Sequence, residues 1–170
     1  MTVIGVLSAI SIMMSMLPFL GYIPIGPIKA TIMHIPVIIG AIIEGPVVGA
    51  IIGLIFGLTS LWNAITQPVV LSPLFYNPLV SVLPRILIGI VAYYVYQGVY
   101  KVSKKVYASG FIAGIIGSLA NTAGVLGMIY ILYADKYLAL IEQQGSSAAK
   151  LLLGVVLTSG VPEALVAGLI

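Results

Sequence analysis

The chain has 170 residues, of which 61% are hydrophobic and only 6% charged, against roughly 25% charged in an average soluble domain. Seven basic and four acidic side chains cannot cover a folded surface, which excludes a soluble enzyme, a disordered linker and a nucleic-acid-binding domain. The net charge of +3 reflects these small numbers and marks no phosphate-binding surface, and the absence of cysteine excludes a disulfide, a thiolate nucleophile or an iron–sulfur site.

What remains is an integral membrane protein, read as a single domain over residues 1–170. A transmembrane helix needs about 20 apolar residues to cross about 30 Å of hydrocarbon. Prolines, glycines and charges divide the chain into six such segments, which predicts an all-α bundle of six transmembrane helices. The first covers Thr2 to Leu17 and stops at Pro18; its apolar character never gives way to a soluble body, so it is a span rather than a signal peptide. The second, Ala30 to Ile43, is short and closed by Glu44-Gly45-Pro46. The third runs from Val47 to Trp62, the fourth from Pro78 to Tyr100 and the fifth from Tyr107 to Tyr133. The sixth runs from Ala148 to Ile170 without a charged flank, which leaves its completeness open. A membrane barrel would alternate apolar and polar residues, and runs such as Ile86 to Tyr96 do not.

Lys101, Lys104 and Lys105 lie together between the fourth and fifth spans, and cytoplasmic loops collect Lys and Arg. This predicts cytoplasmic N and C termini, with the first, third and fifth loops outside. Tyr93, Tyr94, Tyr96, Tyr100 and Tyr107 would form an inner aromatic belt. Phe19, Tyr22, Phe75, Tyr76, Tyr130, Tyr133 and Tyr137 would form the outer one. The first and third loops carry Pro18, Pro24 and Pro27, and Pro68, Pro73 and Pro78. Loops of this length without regular structure are often lids or binding loops, so recognition is expected from outside.

Gly45, Gly49, Gly53 and Gly57 recur every fourth residue, a spacing that lets another helix approach closely. Gly110, Gly114 and Ser118 repeat it on the fifth span, Gly160, Ala164 and Gly168 on the sixth, and Gly5 with Ala9 on the first. Packing inside the bundle is the plain reading for the third and fifth helices. Gly5, Ser8 and Ala9 suit docking to another membrane subunit. Arg85 stands inside the fourth span, where a charge costs a few kcal/mol and normally faces a cavity or a partner. Two readings are open for it: snorkelling or pairing with a carboxylate, and recognition of a ligand anion, which guanidinium matches bidentately. Glu163 follows Gly160 and Pro162, whose kink would free backbone groups around Thr158 and Ser159. Asn121 lies mid-span at a depth similar to Thr158, either bonding across helices or meeting a ligand. Lys29 and His34 flank the end of the first loop; a lone histidine is a weak metal signal. Trp62, Asn63, Gln67, Tyr76, Asn77 and Ser81 give the third loop the stacking and hydrogen-bonding groups that small-molecule pockets use. There is no P-loop signature, no Gly-x-Ser-x-Gly and no His-Glu-x-x-His, so neither ATP hydrolysis nor an intramembrane hydrolase is expected.

The segment Ile32-Met33-His34-Ile35-Pro36-Val37-Ile38-Ile39-Gly40-Ala41, the turn Glu44-Gly45-Pro46 leading to Gly57-Leu58-Thr59-Ser60, the stretch Asn77 to Gly89 and Gly160-Val161-Pro162-Glu163-Ala164 together resemble the substrate-binding (S) components of energy-coupling factor (ECF) vitamin transporters. The resemblance implies a six-helix subunit of a bacterial cell membrane that binds a vitamin near the outer surface under the first loop. It implies no enzyme and no cofactor, and partnership with a membrane coupling subunit and two cytoplasmic ATPases. Gly5 and Ala9 match the family's small-residue contact, with glycine in place of the usual alanine. The Pro84-Arg85 region is most similar to pantothenate-type members; hydroxymethylpyrimidine, pyridoxine, riboflavin and folate remain open. The substrate site this reading gathers is Arg85, Asn121, Asn63, Gln67, Tyr76, Asn77, Ser81, Tyr130, Thr158, Lys29 and His34. The rival reading is a self-sufficient homo-oligomeric transporter or channel, with Arg85 and Glu163 as gating or relay residues.

Overall fold

A computed structural model describes residues 2–17, 22–25, 28–66, 71–140 and 147–170. In chain order these form α1 (Thr2–Met16), a hairpin of β1 (Tyr22–Ile25) and β2 (Ile28–Thr31), α2 (Ile35–Glu44), α3 (Pro46–Thr66), α4 (Ser72–Phe75), α5 (Pro78–Ser81), α6 (Leu83–Ser103), α7 (Val106–Leu140), α8 (Ala148–Val155), a π-helical turn (Val156–Gly160) and α9 (Val161–Leu169). Among the described residues, four helical stretches are long and apolar enough to cross a membrane: Pro46–Thr66, Pro78–Ser103, Val106–Leu138 and Ala149–Leu169. Two further apolar helices, α1 and α2, are shorter.

The second segment departs from the expected span. Ala30 and Thr31 belong to β2, which pairs antiparallel with β1, Tyr22 opposite Thr31, and the helix starts only at Ile35. The physical reason is Pro36. It fits the first turn of a helix, where its missing N–H is not needed, whereas inside a longer helix it would clash with the preceding turn, so the helix that contains it starts beside it. Gly45, at φ 102°, ends α2 after 10 residues and turns the chain straight into α3. The first loop, expected to be irregular, therefore carries a hairpin, and β2 rests on the π turn and on α9. The third loop, also expected to be irregular, contains α4, and α5 opens the stretch Pro78–Ser103, where the fourth span was expected to begin. Asn77 caps α5 by accepting a 2.9 Å bond from the Leu79 N–H, and Pro78 follows at its first position.

Small residues set the helix spacing, as the fourfold glycine repeat predicts. Gly49 of α3 meets Gly89 of α6 backbone to backbone, and a β-carbon on Gly53 would overlap the Arg85 carbonyl. On the other side of the bundle, a β-carbon on Gly114 of α7 would overlap the Ala167 carbonyl of α9. No side chain other than hydrogen fits these approaches. One apolar core joins α2, α3 and α6 around Val37, Ile38, Ile52, Phe56 and Ile88. A second gathers α4, α5, α7 and α8 around Leu74, Val80, Val125, Ile129 and Leu152. Many large apolar side chains face outward, among them Ile131, Leu157 and Leu165. Patches of this extent are stable in lipid and a liability in water.

Candidate functional site

Arg85 is the centre of the site. It occupies the first turn of α6, is 8% exposed, and its Nη1 donates a 2.7 Å bond to the Val80 carbonyl of α5. Its guanidinium carbon lies 5.8 Å from the Phe56 ring and 5.8 Å from the Phe75 ring, close enough for cation–π attraction. No carboxylate pairs with it among the described residues, and Nε, fully buried, has no hydrogen-bond partner. The cation is thus held by a carbonyl and two rings, with an edge left free.

His34 and Asn121 also keep buried polar atoms open. His34, 1% exposed at the start of α2, leaves Nε2 without a partner and lies within electrostatic reach of Arg85. On α7, Gly117 faces Ile38 and Ala92, while Gly124 faces Pro84. Asn121 lies between them at helical spacing, which turns it toward α2 and α6. Its buried Oδ1 also has no partner. Ser118, one turn away, is 1% exposed with an unpartnered Oγ. Buried polar groups are normally satisfied, so a cluster of open ones beside an unpaired cation is chemically poised for a polar, anionic ligand.

The other expected site residues divide. Asn63 donates from Nδ2 to the Ser15 carbonyl at 3.0 Å and to its Oγ at 2.6 Å, tying α3 to α1. Asn77 caps α5 and also donates to the Tyr133 hydroxyl at 3.1 Å. The Ser81 hydroxyl donates to the Phe75 carbonyl. Tyr76 and Tyr130 are exposed, and Thr158 is exposed with its hydroxyl bonded to the Gly154 carbonyl at 2.9 Å. Gly160 touches Thr122, so the common depth expected of Asn121 and Thr158 is present, and the π turn lies where Pro162 was expected to loosen the helix. Gln67 lies outside the described residues. Lys29 pairs opposite Pro24 in the hairpin, and its side chain lies outside the described part. Glu163 is buried in α9 at 8% exposure. Phe56 went unmarked as a site residue in the sequence; its signal is its place on the face of α3 that also carries Ile52 and Gly53.

On α1, Gly5 and Ala9 are exposed and open space surrounds Gly5, whereas Ser8 turns inward at 5% exposure. A family model described as "ECF transporter, substrate-specific component" matches residues 1–170. The chain belongs to the substrate-specific component family of ECF transporters. Its fold is that of a multi-pass membrane protein. Similar relatives are the pantothenate transporter PanT of Leuconostoc mesenteroides, 32% identical over 126 residues, and the pantothenic acid transporter PanT of Lactococcus lactis, 29% identical over 159 residues. The first match covers 69% of this chain and 61% of the Leuconostoc protein; the second covers 82% and 79%.

Proposed function

We propose that this ECF S component is the high-affinity substrate-binding subunit of an ATP-driven importer and that its vitamin is pantothenate. The observation that carries the reading is the Arg85 guanidinium, buried with no carboxylate partner among the described residues and with Nε open, in a chain whose similar relatives are named pantothenate transporters. Pantothenate offers a carboxylate to Arg85 and hydroxyl and amide groups to Asn121 and His34. In this reading α1 and α2 complete six spans, both termini are cytoplasmic in a bacterial membrane, and the hairpin covers the site from outside. Energy comes from two ATPases through a coupling subunit that meets the exposed Gly5 and Ala9. The chain itself performs no catalysis.

Mass spectrometry of small molecules retained by the purified chain, followed by calorimetric titration, tests this. Pantothenate is the expected ligand. Retention of hydroxymethylpyrimidine, pyridoxine, riboflavin or folate with no pantothenate binding would remove the substrate assignment.

A further inference from the structure

Toward the end of the bundle that carries Lys101, Lys104 and Lys105, an open groove of about 250 Å³ runs between α2, α6, α7 and α9. Its walls include Ile38 and Ile42 of α2, Tyr96 of α6, Tyr107 and Phe111 of α7, and Leu169 of α9. Gly110 also lines it, and a β-carbon there would meet nothing within 4 Å.

The groove's wall is continuous with the lysines. Val106 and Tyr107 line the groove, and Lys104 and Lys105 directly precede them, with Lys101 in the last turn of α6. Lys104 is held in the left-handed region at φ 55°, its N–H bonded to the Tyr100 carbonyl, so the turn that presents the charges has a defined geometry. All three lysines are exposed, and none has an ion-pair partner among the described residues. Glu44, exposed at the foot of α2, is the carboxylate on the elements packed around this end. Tyr96 stacks on Tyr100 with ring centroids 5.9 Å apart, at the level where aromatic residues meet lipid headgroups.

We propose that this groove is a binding site for one anionic phospholipid, its acyl chain lying along Ile38, Ile42 and Phe111 and its phosphate meeting Lys101, Lys104 and Lys105. Any lipid can cover an apolar slot. The exposed lysines beside the Val106–Tyr107 edge would select an anionic one, because basic pockets between membrane helices attract negatively charged headgroups.

The full chain is reconstituted with phosphatidylglycerol or with phosphatidylcholine, and native mass spectrometry reads the lipid retained while thermal unfolding is followed in parallel. Phosphatidylglycerol is expected to stay bound and to raise the midpoint. The combined variant Lys101→Gln, Lys104→Gln, Lys105→Gln is expected to lower its retention about tenfold, with retention restored by arginine at the three positions. Gly110→Leu, whose β-carbon meets nothing within 4 Å and whose side chain would occupy the groove, is expected to lose the lipid although every lysine remains. Equal retention of phosphatidylcholine overturns the proposal. So does unchanged retention in Gly110→Leu, which would leave the lysines gathering lipid by charge alone.

Discussion

Arg85 is held by Val80, Phe56 and Phe75, yet its Nε edge stays open. A fork fixed on one side and free on the other is pre-organised to take a carboxylate, since little side-chain freedom is left to lose on binding. Arg85→Met keeps the apolar stem and removes the charge. It is expected to lower pantothenate affinity about 100-fold, or roughly 3 kcal/mol, the size of a hydrogen-bonded charge pair. Calorimetric titration checks this, and unchanged affinity in a folded variant ends the role given to Arg85. Arg85→Lys is expected to recover little, because an ammonium cannot reproduce the fork. Asn63 belongs to a different class. With its amide committed to Ser15, Asn63→Ala is expected to destabilise the chain by about 1 kcal/mol, read as a lower unfolding midpoint, with affinity unchanged.

At the scale of elements, the close approach of α3 and α6 is the structural fact that sets the site. Gly49 against Gly89 and Gly53 against the Arg85 carbonyl bring Phe56 within range of the guanidinium. Gly53→Leu would force the helices apart and is expected to cost about 3 kcal/mol or more, appearing as a lowered midpoint and loss of monodisperse protein. Gly110→Ala, facing open space, is the control expected to change neither. The spacing of these glycines was legible in the sequence because period four on a helix means one face. The shortened α2 was less so: an apolar run does not distinguish the end of a strand from the start of a helix, and only Pro36 hinted at the boundary. The short α4 was read as loop because a four-residue helix leaves no periodic trace, whereas α5 falls where the fourth span was expected to begin. Their caps then consume Asn77 and hold Ser81, two side chains the sequence offered as ligand contacts.

For the whole molecule, the charge-poor exterior and the open face of α1 belong to the same function. Gly5 and Ala9 are exposed, and among the described residues nothing packs against Gly5, which fits a face reserved for a partner helix. Gly5→Leu combined with Ala9→Leu is expected to leave pantothenate binding intact and to abolish ATP-driven uptake in proteoliposomes containing the coupling subunit and the ATPases. Uptake of equal rate by the wild-type chain without those subunits would favour the self-sufficient transporter instead. Composition alone determined that this protein lives in a membrane, because 6% charge cannot be solvated over a folded surface. Segment length and proline placement determined most of its helices, since helix formation is local. Which polar groups are spent and which stay open was decided only by the tertiary structure. Asn63 finds its partner 48 residues away, while Arg85, His34 and Asn121, on three different helical segments, each keep a buried polar atom without a partner, and no local pattern records which side chains pair across such distances.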